Sequence, residues 1–170
     1  GEVIIHSPAL NRHLVASQHV YDLLSAYVRV KGLGLVRHEK AMTTFPRNDY
    51  EPDVMFFGMA KAALISPDTL KFPIPDLIVE VISPSTEKRD RGIKFQDYSA
   101  HGVAEYWIID TVAESIELYH LSGETYVQAD KLTEGLFSSQ VIPGLTIPVK
   151  AIFNEIENAK VMRQIWLSET

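Results

Sequence analysis

One acid stands in the most apolar stretch of the chain. Leu77-Ile78-Val79-Glu80-Val81-Ile82 sets a carboxylate among five large aliphatic side chains. Such a group is costly to desolvate unless a cation or hydrogen bonds meet it. Two readings are open. Glu80 is half of a structural ion pair, or it is a metal ligand at a strand end, since ionisable groups in such surroundings recur at functional sites. A second acid favours the metal. Pro52-Asp53 precedes the apolar run Val54–Phe57. Proline blocks ladder pairing before the run and leaves Asp53 at its mouth. Pro-Asp alone is a common turn. Two carboxylates on neighbouring strands, however, make an oxygen-only ligand set, which suits Mg2+ or Mn2+ and not zinc.

The third ingredient is basic. Lys88, Arg89, Arg91 and Lys94 follow the Glu80 segment. Asp90 and Lys94 are one helical turn apart, with Tyr98 a further turn on. This is either a solvated helix face or a source of positive charge for the two acids. Ser83, Ser85 and the free amides that begin the helix are placed to hold a phosphate or to order metal-bound water. Other chemistries drop out. The chain has no cysteine, so thiolate zinc sites, disulfides and cysteine nucleophiles are excluded. Its six histidines are His6, His13, His19, His38, His101 and His120. No pair shows the i,i+4 spacing of helical zinc ligands, so a histidine metal site is not expected. There is no G-x-S-x-G elbow, no glycine-rich phosphate loop and no aromatic RNA-binding signature.

These residues need elements to carry them. Ser7-Pro8 reads as a helix start, with Ser7 as cap. Leu10, Leu14, Ser17, Tyr21, Leu24 and Val28 then mark one helical face, and Gly32 closes it. Residues 34–45 read as a strand, Pro46-Arg47-Asn48-Asp49 as a turn, and Val54–Phe57 as a second strand. A connector over 58–75 includes a short helix near Ala60–Leu64. Leu77–Ile82 has the composition of a strand buried on both faces. After a turn at Ser83–Thr86, a helix is expected from Glu87 to about Ala100, stopped by Gly102. Tyr106–Ile109 is a further buried strand. Strand, helix and strand with short joins predict a parallel pair. A hairpin over 115–121 and 124–129, a strand near 145–149, and a tail helix carrying Ile152, Ile156, Ala159 and Trp166 complete a mixed-sheet α/β fold.

The 170 residues are 46% hydrophobic and 22% charged, a globular composition suited to one domain over 1–170. The net charge is −6, with 12 basic and 12 acidic residues in the first hundred and 4 against 10 after that. A polybasic partner surface is excluded, although a local basic face in the first hundred residues is allowed. No apolar run approaches the ~20 residues that span a bilayer, so no membrane is expected. No signal peptide opens the chain, so the cytoplasm is the expected location. The first residue is Gly1, so either the start has been removed or the chain is part of a longer one. A homodimer is the default expectation for a soluble protein.

Several of these segments resemble a large bacterial family. They are Pro52-Asp53-Val54, Pro75 to Ser85, Asp90-x-x-x-Lys94-x-x-x-Tyr98, and Gly102-Val103-x-Glu105-Tyr106-Trp107-Ile108-Ile109-Asp110. The family is restriction-endonuclease-like, was long described as a domain of unknown function, and is placed in the PD-(D/E)XK nuclease superfamily. The resemblance runs from Gly1-Glu2-Val3 and His13 to Pro143-Gly144-Leu145. It implies an αβββαβ core with a mixed sheet, here extended by the C-terminal hairpin and tail helix. It also implies a metal-dependent endonuclease with DNA as partner and Mg2+ or Mn2+ as cofactor. Carried over, Asp53 and Glu80 are the metal ligands, with the Ile82 carbonyl as a further one. Ile82 occupies the usual lysine position, and Lys94 supplies that lysine from the following helix. Ser83, Ser85, Asp90 and Tyr98 surround the centre. Glu2 is a further candidate ligand, from its place before the first helix. The alternative is a nuclease-fold domain that binds nucleic acid or protein without cutting.

Overall fold

The 3.6-residue apolar repeat near the start of the chain winds into α1 (Asn11–Lys31). It buries Ala16, Ser17, Val20, Leu23, Leu24, Ala26 and Val28. In this computed structural model, residues 9–46 and 48–168 are described. Ser7, Pro8, His6, Arg47 and Glu2 lie outside them. The helix begins later than Ser7-Pro8 implies. Leu10, in extended backbone, takes the cap position, and its carbonyl accepts the His13 and Leu14 amides. Leu10 and Leu14 are therefore exposed rather than part of the packed face. Gly32 ends the helix at φ 63.

A six-stranded sheet packs against α1. Its strands are β1 (Gly34–His38), β4 (Val54–Gly58), β6 (Leu77–Ile82), β7 (Glu105–Asp110), β8 (Ser115–Ser122) and β9 (Thr125–Leu132), side by side in that order. Within this sheet only the β6–β7 pair is parallel, and the helical segment 87–100 bridges it, as the strand–helix–strand pattern requires. Alternation sorts the side chains. Val54, Phe56, Leu77, Val79 and Val81 face α1 and the C-terminal helices. Met55, Phe57, Ile78 and Ile82 face a second core with Tyr98 and Tyr106.

Three expectations need correction. Residues 34–45 are not one strand. Glu39 and Lys40 take positive φ of 30° and 58°, which turns the chain out of the sheet. The next segment, β2 (Met42–Thr44), sits between β3 (Asp49–Tyr50) and β5 (Lys71–Phe72) in a small separate sheet. The helix over 87–100 is broken into α3 (Glu87–Asp90) and α4 (Ile93–Ala100). The break is at Gly92, where an added Cβ would lie 2.6 Å from the Lys88 carbonyl oxygen. The tail is also two helices, α5 (Lys150–Phe153) and α6 (Glu155–Leu167). Ile152 is buried in α5, whereas Ile156, Ala159 and Trp166 point outward from α6. The buried side of α6 holds Asn158 and Ile165. The Asn158 amide donates to the His19 and Ala151 carbonyls, which fixes that rotation.

The short helix in the connector is α2 (Met59–Ala62). The β8–β9 hairpin turns through Gly123 at φ 65, and β11 (Thr146–Pro148) pairs with β10 (Leu136–Ser138). No helix among the described residues is long and apolar enough to cross a membrane.

Candidate functional site

The antiparallel register of β4 and β6 sets Val54 opposite Val79. Continued by one residue, it sets Asp53 opposite Glu80. The period of two puts both acids on the face of Met55, Phe57, Ile78 and Ile82. Directly opposed residues have Cβ atoms roughly 4.5–5.5 Å apart. Asp53 is held at both oxygens: Oδ2 accepts from the Val81 amide at 2.7 Å, and Oδ1 lies 3.3 Å from His13 Nε2.

Glu80 lies deeper. Its Oε1 accepts from Lys94 Nζ at 2.9 Å and from the Tyr98 hydroxyl at 2.8 Å. Lys94 Nζ is also 2.8 Å from Asp90 Oδ1. Glu80, Asp90 and Lys94 are all buried. Asp90, Lys94 and Tyr98 therefore share the inward face despite the break at Gly92. Glu87 leaves that face and pairs with Arg91 on the surface. Arg91 in turn grips Glu117 with two guanidinium bonds, of 2.7 and 2.9 Å, which fastens the α3–α4 corner to β8.

The charges tune one another. Burial pushes the Glu80 carboxyl up to about 7; the Lys94 ammonium pulls the other way, and the Asp53 and Asp90 charges add to the rise. Burial opposes charge on Lys94, but its two carboxylate neighbours outweigh that and hold it protonated. The Asp53 contact raises the His13 imidazole above its ordinary value, against burial.

These groups open into a cleft of about 740 Å3 that also exposes Ile82, Ser83, Ser85, Arg12 and Arg89. Ile82 is the last residue of β6. The Ser83 hydroxyl meets those of Ser85 and Thr86 at 3.0 and 3.2 Å. The Thr86 and Glu87 amides donate to the Ser83 carbonyl, so both are taken within the turn. Arg89 sits over the Tyr50 ring, 5.7 Å from its centroid.

Carboxylate oxygens facing an open cleft fit a hard divalent cation. Among the described residues, no three or more His, Asp and Glu side chains stand together as a ready-made metal cluster. Two carboxylates would make only a partial shell; Mg2+ is commonly held by one or two carboxylates, with water and phosphate oxygens filling the rest. Glu2 lies outside the described residues.

Sequence reasoning missed His13 as a neighbour of Asp53. The two are 40 positions apart, and only the packing of α1 against the sheet brings them together. It also missed Glu105, a fully buried carboxylate. Glu105 accepts from Trp107 Nε1, the Ser139 hydroxyl and the Gln140 and Val141 amides. It anchors a loop and does not face the cleft.

A solved structure from Anabaena variabilis ATCC 29413, titled a putative nuclease belonging to DUF820, has a similar fold. Its TM-score is 0.74 over 90% of this chain and 86% of that one, at 18% identity. An uncharacterized protein of Synechocystis sp., slr1290, is 48% identical over 48 residues. That stretch is 27% of this chain and spans only 25% of the Synechocystis protein. The model of the Uma2 family, described as putative restriction endonuclease, matches residues 1–150. With a similar fold in that solved structure and a family match over most of its length, the chain belongs to the Uma2 family.

Proposed function

We propose that this protein is a divalent-metal-dependent endonuclease that hydrolyses phosphodiester bonds in DNA. The observation that carries the reading is the opposition of Asp53 and Glu80 on one face of two antiparallel strands, with Lys94 bonded to Glu80 at the floor of an open cleft. Asp53 and Glu80 would hold Mg2+ or Mn2+, with the carbonyl of Ile82, the last residue of β6, as a further ligand. Bound there, the cation supplies a water of lowered pKa and offsets charge on the phosphate. The Val81 amide fixes the Asp53 carboxylate, and Tyr98 and Lys94 fix Glu80. Lys94, bonded to Glu80, would stabilise the charge that develops on the phosphate. Arg12 and Arg89 at the cleft are suited to neighbouring phosphates. Ser83, Ser85 and Asp90 hold the surrounding turn and the lysine.

One observation favours a second reading, a nuclease-fold domain that binds without cutting. Lys94 is closed between two buried carboxylates, the arrangement of a structural ion pair. Labelled duplex DNA and RNA, each incubated with Mg2+ or Mn2+, separate the two. The proposal expects metal-dependent cutting of DNA that Asp53→Ala abolishes. Binding of uncut DNA by a protein that still takes up metal supports the second reading.

A further inference from the structure

We propose that the cleft takes DNA whose bases are unpaired beside the scissile phosphate, with Leu10 and Val112 contacting the opened bases and Arg12 and Arg89 the neighbouring phosphates. This rests on the DNA reading above and names the state of the strand that the cleft accepts.

The cleft runs across the ends of three strands. β4 and β7 flank β6, and Ile82 stands opposite Asp110 in the parallel register. On the β4 side, the contact of His13 with Asp53 brings up the first turn of α1, with Leu10 and Arg12. On the β7 side, Asp110 and Val112 form the other flank. β4 and β7 are two strand spacings apart, roughly 10 Å. Glu80 and Lys94 are buried on the floor between them. A scissile phosphate therefore has to descend between the flanks to reach the acids.

Each flank carries an aliphatic side chain that the fold leaves uncovered. Leu10 is 55% exposed and Val112 is 68% exposed. Val112 is held in place by its own turn. Asp110 Oδ1 accepts from the Val112 and Ala113 amides at 2.8 and 3.0 Å, and the chain enters β8 through Glu114 at φ 47. Leu10 is fixed by α1. Its carbonyl accepts the His13 and Leu14 amides, and the later turns of that 21-residue helix are locked into the core by Val20, Leu23 and Leu24. Aliphatic side chains presented in this way insert at opened base steps of DNA. In a paired and stacked duplex the same bases offer only their edges.

The charges of the cleft favour the same substrate. His13 pairs with Asp53, and Lys94 pairs with Glu80 and Asp90. Arg12 and Arg89 have no carboxylate partner among the described residues. Arg89 lies over the buried Tyr50 ring, which steadies the guanidinium and leaves its N–H donors for a phosphate. Charge-driven duplex binding draws on many phosphate contacts, roughly 6–10 in strongly salt-dependent cases. Two arginines in a chain of net charge −6 fall well short of that, which leaves the bases to supply the remainder.

The test uses the whole chain and three labelled DNA oligonucleotides of one sequence: a single strand, a matched duplex, and a duplex with a central run of unpaired bases. Fluorescence anisotropy reads the affinities, once with Ca2+ and once with EDTA. The opened duplex and the single strand should bind at least about tenfold more tightly than the matched duplex, which has to open first. Val112→Ser and Leu10→Ser, both at exposed positions, should narrow that gap. Arg12→Ala and Arg89→Ala should weaken all three forms alike, each lowering the salt slope by about one. A matched duplex bound as tightly as the opened one overturns this inference and leaves the nuclease reading standing. So does a gap that both serine variants leave as wide as in the wild type. The expected preference without cutting by Mg2+ or Mn2+ supports this inference and overturns the nuclease reading. A folded wild type that binds none of the three DNAs overturns both.

Discussion

Glu80 and Glu105 are both acids in apolar strands, and the fold treats them in opposite ways. Glu105 accepts from Trp107, Ser139, Gln140 and Val141, with His120 Nε2 3.5 Å away, and does not line the Asp53 cleft. Glu80 is met by a lysine that a second carboxylate also claims, and it lies buried at the floor of the cleft beside Asp53. Both acids adjoin apolar runs, Glu80 within β6 and Glu105 at the start of β7, so the pattern flags a buried acid but cannot say which kind. Apart from Trp107, two positions from Glu105, the deciding contacts span 14 to 36 positions. Two predictions belong at this scale. The folded-state value of about 7 for Glu80 lies above its ordinary 4.5. The native protein therefore binds this proton more readily than the unfolded chain. The contribution of Glu80 to stability without metal should be greatest below about pH 4.5, fall as pH rises toward 7, and level off beyond. Glu80→Gln leaves Lys94 paired with Asp90, so it should match the wild type at about pH 5 and exceed it at about pH 8 in thermal melts. An unchanged difference across that range, or a large loss in Glu80→Gln, contradicts this account.

Lys94→Met probes the same triad from the other side. It leaves two carboxylates buried without their cation, which typically costs about 3–5 kcal/mol. The cost should shrink at about pH 5, where Glu80 takes up a proton. Urea unfolding at both pH values checks this, and turnover of the folded fraction should fall by about 10²-fold or more. Unperturbed stability at about pH 8 would show that the lysine is not the partner of these acids.

At the scale of elements, legibility followed local signals. The 3.6-residue repeat of α1, the apolar β6 and the Gly123 hairpin were readable because each is dictated by nearby residues. The breaks were not. Gly92 looks like an ordinary helix glycine until the Lys88 carbonyl is seen 2.6 Å from where its Cβ would be. The Glu39-Lys40 turn uses positive φ at residues that seldom adopt it, so the sequence carries no warning. The rotation of α6 is set by Asn158, a polar residue that a hydrophobic repeat does not count. Gly92 carries a prediction. The α3–α4 corner it permits positions Asp90 and Lys94, and Arg91 ties that corner to Glu117. Gly92→Ala should cost about 1–3 kcal/mol, the usual range for overpacking a tight site, and should lower activity by displacing the lysine. A Gly92→Ala protein with wild-type melting and activity would show that the break is dispensable.

At the scale of the molecule, the order helix, three strands, helix, strand was legible as αβββαβ, and the sheet realises it as β1-β4-β6-β7 flanked by α1 and α3–α4. The hairpin extends that sheet through β8 and β9 at the edge away from β4. What the sequence could not supply was register: it allowed β4 and β6 to be neighbours, but not the pairing that opposes Asp53 and Glu80. Charge follows the same division. The acidic excess sits after residue 100, whereas Arg12, Arg89 and Lys94 at the cleft all come from the balanced first part.

The central claim is that Asp53 and Glu80 form a metal centre that cuts DNA, and one assay addresses it most directly. Supercoiled plasmid is incubated with the wild type or with Glu80→Gln, each confirmed as folded, with and without Mn2+ or Mg2+. The change preserves shape and is expected to keep or raise stability, so a lower rate reports chemistry. The account predicts relaxed and linear products from the wild type only when the divalent cation is present, and a rate for Glu80→Gln lower by about 10²-fold or more. Wild-type protein that leaves the plasmid intact with either metal, or Glu80→Gln that nicks as fast as the wild type, would contradict it.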